Sequence, residues 1–205
     1  MSRTAPLVEE PVAIDDRDPV LDAALAAFLD FGIRRTSMGE IARRAGISPA
    51  TLYRRYAQKS EVVMAVGLRE AQRAIGYVDA KVDPASSPVE QLIGLHGAVT
   101  HQLRSNLLLR RVLATEPETV LPRLTVEAEP LLEIGRGYLS AFLLRLQAEG
   151  HVPAYDVRPV ADVLARLVLS EMLTPAADPL SEPDARAFVR DHLAPFVRLT
   201  PEGPR

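Results

Sequence analysis

The 205-residue chain contains no cysteine. That excludes disulfides, thiol catalysis and cysteine-ligated zinc, and it suits a reducing cytoplasm. Lysine is nearly missing as well. Lys59 and Lys81 stand against 22 arginines, a bias that fits a GC-rich coding style. No apolar run reaches the roughly 18 residues that would mark a membrane span. The N-terminus has no basic start followed by an apolar stretch, so it does not read as a secretory signal. Gly-rich phosphate loops, Gly-x-Ser-x-Gly and His-Glu-x-x-His are all absent. The four histidines are 96, 101, 151 and 192. His96 and His101 lie five apart, about 140° around a helix, and so diverge as metal ligands. Glu116 and Glu118 flank Pro117 and read as two exposed acids at a helix break. No catalytic residue, metal or cofactor is expected, and an enzyme is the remotest function class.

What the chain does have is a concentrated basic block. Residues 34 to 59 hold Arg34, Arg35, Arg43, Arg44, Arg54, Arg55 and Lys59 against one acid, Glu40. The chain as a whole is −3, so the remainder carries about −9. One basic face on an acidic protein is the electrostatic footprint of a nucleic-acid grip. The block is punctuated as two short helices around a turn. Ser37 and Glu40 match a capping box, and Met38, Ile41, Ala42 and Ala45 share a face. Gly46 is a left-handed stop and Ile47 anchors the turn. Ser48 then caps a helix with Pro49 at its first position. On that helix Leu52 and Tyr56 face inward. Ala50 and Arg54 lie opposite, with Thr51 and Arg55 on one flank and Tyr53 on the other. Small residues at the tip with arginines behind suit a helix in a DNA major groove. A helical hairpin with a solvated basic face has the same pattern.

The flanks sharpen the reading. Leu21-Asp-Ala-Ala-Leu25, Phe28 and Phe31-Gly32 precede Thr36-Ser-Met38, Ile41-Ala42, Ala45-Gly-Ile-Ser48, Thr51-Leu-Tyr53, Tyr56 and Lys59. Over residues 19 to 66 this resembles the N-terminal domain of the tetracycline-repressor (TetR) family of bacterial regulators. The resemblance implies that the Thr-Leu-Tyr helix enters the major groove. It also implies that Thr51, Tyr53 and Lys59 bond phosphates and that Ser37 starts a backbone-contacting helix. Ala50, Arg54 and Arg55 are then the candidates for reading bases, with the two arginines unranked. Ala57-Gln58 replace the family's usual Pro-Ser, so the next helix should be weakly capped.

The fold class expected is all-α, with about nine helices: 19–32, 38–45, 49–56, 60–79, 88–105, 106–115, 127–149, 157–174 and 183–199. Residues 1–17, with Glu9, Glu10, Asp15 and Asp16, read as a disordered acidic tail. Residues 18–66 read as the DNA-binding domain and 67–205 as an effector-binding and dimerisation domain. Apolar stripes on the last two helices (Val160, Val163, Leu164, Leu167, Val168 and Met172; Phe188, Val189, His192, Leu193, Phe196 and Leu199) pack the monomer in part. As the resemblance implies, they also form a four-helix homodimer interface. Gly94, Gly97, Gly135 and Gly137 interrupt two helices, either for close packing or to open a cavity. The resemblance places a ligand pocket there, with His96, His101, Arg104, Glu133, Tyr138 and Phe142 as lining candidates for a small apolar or amphipathic effector. The expected function is a cytoplasmic homodimeric repressor released from a palindromic DNA operator by that ligand. An activator of the same fold, or a helical ligand-binding or scaffold protein without DNA binding, are the alternatives.

Overall fold

The computed structural model describes residues 17–175 and 178–199, and all the secondary structure among them is helical. The proposed tail, apart from Arg17, lies outside the described residues. Eleven helical segments follow in order: α1 (Pro19–Phe31), α2 (Met38–Arg44), α3 (Pro49–Arg55), α4 (Lys59–Asp79), α5 (Pro88–Ser105), α6 (Leu107–Thr115), α7 (Pro117–Leu124), α8 (Glu129–Ala148), α9 (Val157–Leu173), α10 (Glu182–Phe188) and α11 (Ala194–Phe196). A π-helical turn, Val189–Leu193, joins the last two.

Local chemistry sets most of these boundaries. Asp18 caps α1 by accepting the Val20 N–H at 2.9 Å, with Pro19 in the first turn. Gly32, at φ 83, ends that helix. Ser37 and Ser48 accept the Glu40 and Thr51 N–H groups, each at 3.1 Å. Gly46, at φ 69, makes the turn between α2 and α3. The capping box is only half formed. Instead of returning to Ser37, the Glu40 carboxylate accepts Arg43 Nε at 3.0 Å and Arg44 Nε at 2.7 Å. At α4 the weak cap is real, since Gln58 makes no side-chain capping bond. Glu61 compensates by accepting the Ala57 N–H at 2.8 Å.

Two differences from the sequence reading have physical causes. The expected break at Glu116-Pro117 and Leu121-Pro122 contains the short helix α7, because Pro117 occupies a first turn that needs no N–H. The expected helix 183–199 carries the π-helical turn. Pro195 cannot donate to the carbonyl four residues back, and the Ala194 N–H reaches Val189 instead.

The buried side chains form two clusters. One joins α1 to α3 and the start of α4 through Leu21, Phe28, Ile41, Leu52, Val62 and Val66. It also takes Val112 from α6. The other packs α5, α8, α9 and the C-terminal turns on the far half of α4, around Leu92, Phe142, Leu143, Leu146, Ala161 and Val189. Helix α4 serves both. At Gly135 α8 faces α9, and an added Cβ would make ordinary van der Waals contact with Ala165 Cβ at 3.6 Å, so the approach does not itself require glycine.

Candidate nucleic-acid interface

Helix α3 is pinned by Leu52, which is fully buried, and presents Ala50, Tyr53 and Arg54 to solvent. The Thr51 hydroxyl sits 2.9 Å from Ser48 Oγ, joined to the cap of its own helix. Ser37 is exposed at the start of α2, where its hydroxyl caps the helix. Of the seven candidates, these five keep their side chains free of bonds to other helices among the described residues.

The other two do not. Arg55 turns inward to Asp18, a residue only 3% exposed. Both guanidinium nitrogens bond the carboxylate, the Nη1 contact at 3.3 Å. The pair holds Arg55 above its ordinary pKa, first through these hydrogen bonds. Asp18 therefore ties three helices. Its side chain caps α1 and holds α3, while its carbonyl accepts Arg69 Nη1 of α4 at 3.3 Å. Arg69 is fully buried and ion-pairs with Asp22 at 2.9 Å. Lys59 is likewise bonded within the fold. All three of its ammonium protons go to carbonyls of the α1–α2 connection: Ile33 at 2.9 Å, Arg34 at 3.1 Å and Thr36 at 3.0 Å. Both side chains hold the reading head together from inside, a role invisible on a helical wheel because the partners lie at least 23 residues away.

The basic block is thus largely neutralised internally. Arg44 pairs with Asp30 and Glu40, each at 2.7 Å, and Arg43 with Glu40 at 2.7 Å. These arginines hold the Glu40 carboxyl below its usual range, Arg43 most strongly. Arg43 is 71% exposed, so its pair is weak and can be exchanged for a phosphate. Arg35 and Arg54 are exposed and have no acidic partner among the described residues. Arg35, next to Ser37, was not singled out from sequence. Its lack of a carboxylate partner is a three-dimensional property.

Four of the six ligand candidates fall into two separate clefts against the C-terminal half of α4. Tyr138 and Phe142 line one of about 520 Å³ with Ile75, Gly76, Asp79 and Arg145. Tyr138 donates to Asp79 at 3.3 Å, and burial, with that carboxylate, pushes its pKa up to about 12. His96 and His101 line the other, of about 410 Å³, with Tyr77, Lys81, Gly97 and Arg186. His101 stacks on Tyr77 at 5.8 Å, His96 lies 5.9 Å from the Phe188 ring, and burial lowers the His96 pKa. Arg104 and Glu133 belong to neither cleft. Arg104 is exposed at the end of α5, and Glu133 pairs with Arg136 on the surface of α8. The glycines divide similarly. Gly94 packs against the Lys81 carbonyl, with 3.3 Å to an added Cβ, whereas Gly97 and Gly137 face open space. Gly94 and Gly97 both border the histidine cleft, whereas Gly135 and Gly137 border neither of the two.

Comparison with known proteins agrees with this geometry. Residues 20–66 match the model of the bacterial regulatory proteins of the tetR family. Residues 94–190 match the model of a bacterial tetracyclin repressor C-terminal domain. An uncharacterized HTH-type transcriptional regulator of Mycobacterium bovis is 29% identical over 161 residues, 78% of this chain and 80% of the relative. The HTH-type transcriptional repressor KstR2 of Mycolicibacterium smegmatis is 34% identical over 79 residues, 38% of each chain. Among solved structures, the TetR family repressor AlkX from Dietzia superposes with a TM-score of 0.70 at 24% identity, covering 89% of this chain and 97% of AlkX. The R. erythropolis repressor QsdR superposes at 0.65 and 17% identity, covering 93% and 98%. With both family models spanning more than half of its length, a helix-turn-helix exposed on one side and a helical body on the other, the chain belongs to the TetR family of DNA-binding transcriptional regulators.

Proposed function

We propose that the protein is a cytoplasmic homodimeric repressor that binds a palindromic operator and is released by a small apolar or amphipathic ligand. The observation that carries the operator reading is the outer face of α3, where Ala50, Tyr53 and Arg54 stand clear of a block in which Arg34, Arg43, Arg44 and Arg55 are paired with acids. Two such helices related by a two-fold axis need half-sites about one helical turn apart, or a multiple of it. A repressor similar to this chain over 79 residues, KstR2, supports the sign of regulation.

Dimerisation is supported by apolar surface left on the last helices: Val163 and Leu167 on α9, with Phe188 and Phe196 beyond. Release is supported by the two clefts against α4, whose first residue, Lys59, holds the connection leading into α2. Residues 18–66 act as the reading domain and 67–205 as the effector and dimerisation domain. Selecting duplexes from a random library tests the operator reading, and inverted-repeat sites are expected. Recovery of asymmetric sites alone, or of none, contradicts it. A thermal-shift screen over a diverse library identifies the ligand, and Gly97→Leu, which fills the histidine cleft, should abolish the shift while preserving duplex binding. An unaltered shift puts the ligand elsewhere.

A further inference from the structure

Where α6 meets α7, a buried carboxylate is used in a way its place in the sequence does not call for. Glu116 lies between the two helices at φ −144 and ψ 48, just before Pro117. An acid there would ordinarily turn toward the free N–H groups of the helix it precedes. It makes no such bond to α7. Its side chain crosses to the α1–α2 connection, where Oε2 accepts the Arg34 backbone N–H at 2.8 Å. The residue is 6% exposed. Its other oxygen rests on Gly32, where an added Cβ would stand 2.0 Å from Oε1. Gly32 also has φ +83, so position 32 favours glycine twice over, for its backbone and for the carboxylate seated on it.

The same connection is held from its carbonyl side by Lys59. Thr36 closes it internally, donating to the Gly32 carbonyl at 2.7 Å. Beside the carboxylate, Arg111 donates to the Asp30 carbonyl at 3.2 Å and Val112 is buried in the N-terminal core. The neighbouring Arg34–Glu118 pair, at 2.8 Å, is exposed on both sides and contributes little. Residue 37, the cap of α2, directly follows the held segment.

We propose that Glu116 is a positioning residue for operator binding: its carboxylate clamps residues 32–36 to the α6–α7 junction and so fixes the angle at which α2 and α3 leave α1. The proposal rests on the operator reading above. Displacement of the α6–α7 junction is transmitted to the helix-turn-helix through this bond, a route separate from α4.

Full-length wild type, Glu116→Ala, Glu116→Gln and, as a control, Glu118→Ala are compared by amide hydrogen exchange without DNA. They are then compared by affinity for the duplex recovered by selection. Glu116→Ala should speed exchange in 32–37 by about tenfold or more, leave α8 and α9 unchanged, and weaken duplex binding about tenfold. Glu116→Gln keeps an oxygen acceptor and should stay within about threefold of wild type in both assays, as should Glu118→Ala. Should the alanine variant fail to fold, Glu116→Asp takes its place with the same expectations, since it keeps the charge but is one methylene short of Arg34. Exchange in 32–37 within twofold of wild type overturns the clamp. Faster exchange with unchanged affinity overturns the positioning role. If wild type binds no duplex, the operator reading and the positioning role fail together, and the exchange data still decide whether Glu116 holds the loop.

Discussion

Arg54 and Arg55 are neighbours in the chain with opposite surroundings, and single substitutions should separate them. Arg54→Ala removes an exposed side chain without an acidic partner, so stability should change by less than about 0.5 kcal/mol. It should also cost about 1–3 kcal/mol of discrimination at one base pair per half-site. Arg55→Ala strands the Asp18 carboxylate, which is 5% exposed in its side chain. Nearly half of the Arg55 side chain is exposed, so the cost should be about 1–2 kcal/mol of unfolding free energy, short of the value for a fully buried pair. Denaturant unfolding reads both. Lys59→Ala should likewise destabilise the N-terminal bundle, by about 1–2 kcal/mol, because three carbonyls lose a charged donor. A stable variant whose only defect is a salt slope reduced by about 1 would return Lys59 to a phosphate contact. The residue types and their helical faces were legible in the sequence. The partners that decide their roles were not, because Asp18 reaches Arg55, and Ile33 and Thr36 reach Lys59, across the fold.

At the scale of the element, side-chain caps written in the sequence start seven of the eleven helices: Asp18, Ser37, Ser48, Ser87, Asn106, Asp156 and Ser181 each cap one. Helix α7 and the π-helical turn were not legible, since proline reads as a breaker whether it opens a helix, as Pro117 does, or reshapes one, as Pro195 does. Helix α5 carries a pH dependence. Burial lowers the His96 pKa, partly offset by the Glu171 carboxylate, so the unfolded chain takes up the proton more readily than the folded one. Stability should therefore be fully present above about pH 7 and fall as pH drops through the unfolded value near 6.5 toward the folded one. Thermal unfolding of His96→Gln should lack this component between about pH 7 and 5. An identical pH profile for both proteins would show that His96 is not its source. On α9, a Val163→Asp, Leu167→Asp double variant should run as a monomer in sedimentation while keeping its helical content, because it puts charge in the exposed stripe. A variant that still sediments as a dimer would move the interface off α9.

For the whole molecule, the arrangement joins two cores through one long helix and one short clamp. α4 runs through both cores, and Val112 and Glu116 bring α6 and its end back onto the first. The net charge of −3 leaves DNA attraction to one face, so non-specific affinity should be modest and strongly salt-dependent. The fold and the reading helix were legible because hydrophobic period, caps and motif agree over residues 19 to 66. The proposed effector site is less sharply marked, since its six candidates on two helices divide between two clefts and bare surface. The account turns on α3 reading DNA. Its most direct test is the affinity of wild type and Arg54→Ala for the selected duplex and for each of its single-base-pair variants, titrated against salt. The account predicts salt-sensitive binding by wild type and, with Arg54→Ala, a loss confined to one symmetric pair of positions. An equal loss at every position would make Arg54 a phosphate contact, and binding that ignores both the base changes and the substitution would contradict the reading role of α3.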